Sequence, residues 1–80
     1  MTRTIKRGYI EKGWFDTTRN AVRKDEFAAT VSKVIQTDEF GEWEDDLEDT
    51  IRSVGGFKTI EEAEEFLKGE KVKEIIKEDF

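Results

Sequence analysis

One segment of the 80-residue chain concentrates the side chains that could do chemistry. Between positions 38 and 49, eight of twelve residues are acidic and none is basic. Phe40, Trp43 and Leu47 interrupt the acids at spacings of three and four, which is typical of side chains that anchor a segment to a core. The acids would then face water. We therefore predict a protein-binding surface formed by Asp38, Glu39, Glu42, Trp43, Glu44, Asp45, Asp46, Glu48 and Asp49.

Two kinds of ligand suit such a dense row of carboxylates. Calcium prefers about six to eight oxygen ligands, but the spacing of an EF-hand loop is absent from this chain. The other ligand is a basic protein surface. Acids two apart on a strand lie about 6.6 Å apart, so a row of them resembles the charge pattern of a phosphate backbone. Such a row would be attracted to a basic cleft in a salt-dependent way. A secondary acidic face, predicted on a helix, would extend the same field through Glu61, Glu64 and Glu65.

The composition argues against catalysis. The chain has no His and no Cys, so the usual pairs of nucleophile and base and all thiolate metal sites are missing. The adjacent glycines, Gly55 and Gly56, are not followed by the Lys and Ser or Thr of a phosphate-binding loop. We expect a protein that is not an enzyme, with no catalytic residues, no metal and no cofactor.

The charge is distributed unevenly along the chain. Residues 1–37 carry eight Lys or Arg and four Asp or Glu, a net +4, whereas residues 38–80 carry six and sixteen, a net −10. The two halves could neutralise each other within one molecule. In an alternative hypothesis the chain is a structural or oligomerisation module, in which the basic half of one copy meets the acidic half of the next.

The overall charge of −6 disfavours direct binding of nucleic acid. A basic and aromatic cluster keeps that hypothesis open, and its members are Arg3, Lys6, Arg7, Tyr9, Lys12, Trp14, Phe15, Arg19, Arg23 and Lys24. The first ten residues, MTRTIKRGYI, lack the apolar stretch of an export signal, and no run approaches membrane-spanning length. We expect a cytoplasmic protein without a membrane partner.

The clearest structural signal lies in residues 51–67. A short β-branched run is followed by Gly55 and Gly56, which allow a sharp turn. Thr59 and Glu62 have the spacing of a capping box, in which each would bond the other's backbone amide. After them Ile60, Ala63, Phe66 and Leu67 recur at helical spacing. The pattern predicts an amphipathic helix at about 59–68, ended by Gly69.

The other segments favour strands. Residues 4–11 alternate, with Arg7, Tyr9 and Glu11 on one side, and Gly13 breaks the pattern. Residues 15–23 fit an edge strand or a short helical turn capped by Asp16. Residues 27–37 fit either a strand or a helix, and their β-branched content favours a strand paired with 47–54. Residues 38–49 would connect the two as a loop or strand end. Residues 72–80 alternate up to Phe80 and fit a strand or a helix.

Residues 51–67 also resemble the second half of a SPOR-type repeat, a family that binds peptidoglycan. Because the resemblance covers one strand-to-helix turn, we do not assign the chain to that family. The sequence predicts a single α+β domain over residues 1–80, with a small antiparallel sheet of about four strands and one helix packed on one face. For function it predicts a small acidic inhibitor or nucleic-acid-mimicking decoy, of the phage or anti-defence type (anti-CRISPR-like). Its partner would be a basic nucleic-acid-processing protein.

Overall fold

Three long strands, one helix and one short strand make up the domain. The computed structural model describes residues 1–78. It contains β1 (Thr2–Asp16), β2 (Ala21–Asp38), β3 (Trp43–Phe57), α1 (Ile60–Gly69) and β4 (Glu74–Lys77). The strands lie in the order β3-β2-β1-β4, with α1 packed on one face of the sheet. The predicted α+β class, with four strands and one helix, is confirmed.

The sheet is mixed rather than antiparallel throughout. β1 pairs antiparallel with β2, and β2 pairs antiparallel with β3. β4 pairs parallel with β1, because α1 carries the chain back across the sheet before β4 begins. Alternation of side chains reveals which face a residue occupies, but it does not reveal the direction of a neighbouring strand.

β1 and β2 form one long hairpin. Their pairing runs from Thr2 with Thr37 to Asp16 with Ala21, so the predicted separate strand at 15–23 is wrong. Those residues are the end of β1, a turn and the start of β2. The carboxylate of Asp16 accepts the backbone amides of Thr18 and Arg19 at 3.1 and 3.3 Å, which holds the turn. The alternative, a short helical turn capped by Asp16, is correct for the turn and for the role of Asp16, but the turn is not helical.

Gly13 does not end β1, contrary to the prediction of a break. It has a φ of +87° and lies where the register between β1 and β2 shifts. Between the pair of Lys12 with Phe27 and the pair of Trp14 with Arg23, β1 has one residue and β2 has three, so the bulge is in β2 opposite Gly13.

Residues 27–37 are extended, as the β-branched content predicted, and they pair antiparallel with the predicted strand at 47–54. The acidic segment differs from the expected connection: only residues 39–42 form a loop, and from Trp43 onward the chain is already in β3.

Gly55 and Gly56 do not end the strand either, since β3 continues through them to Phe57. A Cβ atom at Gly55 would overlap the indole of Trp14. Gly56 has a φ of +95°. The pair is thus explained by the close approach of a ring at one position and by backbone geometry at the other.

The core lies between the sheet and α1. Its buried side chains are Ile10, Ala29, Val31, Ala63 and Leu67, and Phe57 and Phe66 contact each other beside it with ring centroids 5.5 Å apart. Gly8 lets the helix approach β1, because a Cβ atom there would lie 2.8 Å from Leu67 Cδ1. We call the sheet face that contacts α1 the helix face and the opposite one the open face.

The helix begins nearly as predicted. The Thr59 hydroxyl accepts the Glu62 amide at 3.2 Å, but the Glu62 carboxylate accepts the amide of Lys58 at 3.1 Å rather than that of Thr59. The helix ends at Gly69, and Lys71 adopts the left-handed conformation with a φ of 60°. Beyond it the chain enters β4, so the strand alternative holds for Glu74–Lys77, whereas Phe80 lies outside the described residues. Among residues 1–78, no helix is long and apolar enough to cross a membrane.

A substitution at Gly55 tests the contact with Trp14. We expect Gly55→Ala to lower the free energy of unfolding by about 1–3 kcal/mol, because the new methyl group must displace the indole. Gly69→Ala is the matched control: nothing lies within 4 Å of a Cβ atom there, so we expect no loss. Urea denaturation measures both. Equal stability of the two variants would contradict the observed packing.

Candidate functional site

The open face is organised around Arg7 of β1, which is only 8% exposed. Its guanidinium bonds the carboxylate of Asp45 in β3 through two nitrogens, at 2.7 and 3.2 Å. It also donates to Glu74 at the start of β4 and lies 3.8 Å from an oxygen of Glu48. One cation therefore joins β1 to both edge strands, and the paired geometry of the bond to Asp45 is the strongest that a guanidinium makes.

Gln36 and Arg3 extend this network along the sheet. Gln36 donates to Asp45 Oδ1 at 2.8 Å and accepts from Arg3 Nε at 2.8 Å. The Arg3 guanidinium carbon lies 4.2 Å from the centre of the Trp43 ring, in a cation–π contact. Asp45 and Trp43, both predicted for the binding surface, are thus engaged within the fold.

The network shifts the ionisation of its members. Hydrogen bonds from Arg7 and then Gln36 lower the pKa of Asp45 from 3.8 to about 2. The bond to Asp45 is likewise the main reason that the pKa of Arg7 is raised. Tyr9 donates its hydroxyl to Glu48, and burial followed by this bond raises the pKa of Tyr9. Arg7 therefore stays charged and Tyr9 keeps its proton at neutral pH.

Five other acids of the predicted surface remain exposed and make no ion pair with any residue in 1–78. We call them the outer acid row: Glu39, Glu42, Glu44, Asp46 and Asp49. They lie in the loop after β2 and along β3, which is an edge strand with no neighbour on its outer side. Charged side chains on an edge also discourage unwanted pairing with other strands, so this placement has a structural role as well.

Asp38 has a local role. Its carboxylate accepts the amide of Gly41 at 2.7 Å and so shapes the loop between β2 and β3. The predicted anchoring of this segment through three apolar residues is wrong for two of them: Phe40 is 93% exposed and Leu47 is 51% exposed. Phe40 lies in the loop and Leu47 on an edge strand, where little structure covers them, and Trp43 is the one of the three that is partly buried.

The helix acids do not all extend the acid row. Glu64 forms an ion pair with Lys77 of β4 at 2.6 Å, and this hydrogen bond lowers the pKa of Glu64. Because β4 and β3 lie at opposite edges of the sheet, Glu64 is placed away from the row. Glu61 and Glu65 are exposed. Glu64 therefore does not extend the acidic surface predicted for residues 38–49.

Sequence reasoning missed the role of Gln36 and the pairing of Arg7 with Asp45. The alternation of β1 did place Arg7 and Tyr9 on one side of the strand, where they lie on the open face beside Asp45 and Glu48. It contained no signal for which acid each would meet.

Metal coordination finds no support in the described part of the chain. Among residues 1–78, no group of three or more acidic side chains is placed so that it could hold a metal ion. No family model, curated protein or solved structure matches this chain. The geometry of the α+β sheet and its acidic edge is therefore the basis for a functional proposal.

The lowered pKa of Asp45 predicts a specific dependence of stability on pH. Its folded-state pKa of about 2 lies below its ordinary 3.8, so the ionised form stabilises the fold at neutral pH. That contribution is lost as the pH falls through about 4 towards 2. We expect Asp45→Asn to destabilise the protein near neutral pH, with the difference from the parent shrinking towards pH 2. Urea denaturation across this range measures it.

Asp46→Asn is the control for this experiment, because Asp46 is exposed and makes no ion pair within residues 1–78. It should change the free energy of unfolding by less than about 0.5 kcal/mol near neutral pH. A constant gap between Asp45→Asn and the parent over the whole pH range would contradict the assignment.

Proposed function

We propose that this chain is a small, non-enzymatic protein-binding module that presents its outer acid row to a basic surface of another protein. One observation carries the proposal: the acidic segment supplies Asp45 and Glu48 to the Arg7 network and still leaves five exposed carboxylates without an ion pair in residues 1–78. The network uses only part of the negative charge. The five carboxylates of the outer acid row can then bind a partner protein.

The geometry of the row suits a surface that ordinarily holds nucleic acid. Side chains along a strand advance by about 3.3 Å per residue, close to the rise of about 3.4 Å per phosphate along one strand of DNA. Glu44, Asp46 and Asp49 lie on β3 at separations of two and three residues, about 6.6 and 10 Å, which correspond to about two and three phosphate intervals. The loop adds Glu39 and Glu42. A basic cleft would be attracted to such a row at long range, with an association rate that falls as salt rises.

Phe40 adds a contact that charge alone does not give. Its ring is 93% exposed at the loop, between the acids Glu39 and Glu42. Exposed aromatic side chains surrounded by polar residues are frequent anchors in protein interfaces. The Asp38 carboxylate holds this loop through Gly41, so the ring is presented on a shaped segment.

The more specific form of the proposal is an inhibitor or decoy that occupies the nucleic-acid cleft of its partner, as phage and other mobile-element proteins do against host defence. Its support is the acid row together with the lack of His and Cys in the sequence. The rival oligomerisation module is less favoured, because Arg7 of the basic half is neutralised within the chain by Asp45 and Glu74.

Matched charge variants test the proposal. The first variant combines Glu44→Gln, Asp46→Asn and Asp49→Asn, which removes three charges of the outer acid row without touching the Arg7 network. The control combines Asp25→Asn, Glu61→Gln and Glu65→Gln, which removes three exposed charges elsewhere. Affinity purification from host extract with the parent identifies the partner, and titration calorimetry with that purified partner then compares the three proteins.

We expect the row variant to bind at least about tenfold more weakly than the parent, which corresponds to about 1.4 kcal/mol, and the control to bind nearly as well as the parent. Binding by the parent should weaken as salt rises. Equal affinity of the row variant and the parent, with both folded by circular dichroism, would overturn the acid-row proposal.

A further inference from the structure

Within residues 1–78, β3 leaves one whole side of its backbone unpaired. The strand runs for 15 residues, Trp43–Phe57, and pairs with β2 on its inner side alone. The residues from Glu44 to Ser53 are all exposed. Backbone N–H and C=O groups that point away from β2 along this edge are donors and acceptors with which a further strand can pair. The opposite edge of the sheet is β4, which spans four residues.

Bulges in β3 limit where a further strand can pair with it. The register between β2 and β3 shifts beside Asp46 and again beside Ile51, each of which is an extra residue in β3. Between the two bulges, Leu47–Thr50 pairs with β2 without interruption. Four residues are enough for a strand in this sheet, because β4 pairs with β1 over four residues. We call Leu47–Thr50 the edge segment.

The charges along β3 indicate which strand fits its edge. Five of the ten residues from 44 to 53 are acidic. Arg52, the one basic residue in that range, forms an ion pair with Glu70 at 2.7 Å. A second copy of β3 at this edge would bring acids against acids, which is unfavourable, whereas a strand with Lys or Arg side chains would bring opposite charges together.

Two apolar side chains beside the edge add a second property of the fitting strand. Leu47 is 51% exposed and Ile51 is 53% exposed. An apolar side chain on an incoming strand would cover part of them and so add burial of apolar surface to the backbone hydrogen bonds. The fitting strand therefore combines basic residues with apolar residues that favour the extended conformation.

We propose that the edge segment binds an extended basic segment of the partner protein, which joins the sheet as a fifth strand beside β3. This inference rests on the acid-row function and names the part of the partner that meets the row. Backbone hydrogen bonds to β3 hold the added strand, and Glu44, Asp46 and Asp49, which lie within or beside the edge segment, select Lys and Arg side chains in it.

Two peptides serve as probes for the added strand. The first is a blocked heptapeptide of alternating Lys and Val, because Val favours strands. The control peptide alternates Lys and Pro and has the same charge, but each Pro lacks an N–H group and has a fixed φ that does not suit a strand. Each peptide is titrated into the parent protein at constant ionic strength, and amide hydrogen exchange is measured by NMR.

Hydrogen exchange reports the backbone bonds directly. Successive residues of a strand direct their N–H groups alternately to its two sides, so the edge segment has amides that donate to β2 and amides that point outward. We expect the outward amides to exchange at least about tenfold more slowly when the Lys–Val peptide saturates the protein, because they then donate to its carbonyl groups. The purified partner should slow the same amides.

Three controls accompany this experiment. The Lys–Pro peptide should bind at least about tenfold more weakly and slow no amide of β3. The outward amides of β4 should not change, because Glu74 and Lys77 leave that edge without net charge. The triple variant of the outer acid row should bind the Lys–Val peptide at least about tenfold more weakly than the parent, whereas the triple control at positions 25, 61 and 65 should bind it as the parent does.

Three results would overturn the added strand. The first is equal binding of the two peptides with no slowed exchange in β3, since charge alone would then explain the contact. The second is equal slowing in β3 and β4. The third is slow exchange of the outward β3 amides in the protein alone that increases with its concentration, because a second copy would then occupy the edge.

Failure of the added strand is distinguishable from failure of the acid-row function. Without slowed exchange, a row variant that still loses affinity for the purified partner leaves the acid-row function standing. Conversely, slowed exchange with the Lys–Val peptide, together with undiminished binding of the partner by the row variant, overturns the acid-row function alone.

Discussion

The nearly buried guanidinium of Arg7 is the interaction on which the rest of the sheet depends. Among residues 1–78, the apolar core under α1 has five buried residues with partly buried side chains packed around them, and a domain of this size buries a modest part of its surface. No helix within the described residues covers the open face. Arg7 instead joins β1 to β3 through Asp45 and to β4 through Glu74, so both edges of the sheet are tied to its middle. A buried cation left without such partners would be strongly unfavourable, which makes these acids a structural requirement.

This requirement divides the acidic segment into two parts. Asp45 and Glu48 face Arg7 and Tyr9, and they stabilise the fold. Glu44, Asp46 and Asp49 of the outer acid row lie on the same edge strand, and no member of the row takes part in that network. Because the two sets alternate along one strand, the fold can position the row precisely while its carboxylates stay in water. A partner that binds the row then displaces no bond on which the sheet depends.

The sequence predicted the elements whose signals are local. The helix at about 59–68 has a cap and an apolar stripe, and the strand at 27–37 has β-branched residues, so both follow from neighbouring positions. The misread features depend on distant residues. Position 55 requires a glycine because the indole of Trp14 packs against it, and no pattern in the neighbouring residues predicts contact with a side chain from another strand. The pairing of Arg7 with Asp45 spans 38 positions and also depends on bulges between β2 and β3 that shift the register. The sequence composition predicted the acidic surface that contains the outer acid row. Only the register of the strands showed that Asp45 bonds Arg7 instead of facing outward with the row.

The central claim is that Asp45 belongs to the fold through Arg7, and the direct test is the titration of the Asp45 carboxyl carbon by NMR in the parent and in Arg7→Gln. The account predicts a midpoint at about pH 2 in the parent, because the guanidinium and Gln36 favour the charged carboxylate. In Arg7→Gln the pKa of Asp45 should rise towards its ordinary value of 3.8. An unchanged midpoint in a folded Arg7→Gln protein would contradict the account, because the pKa of Asp45 would then not depend on Arg7.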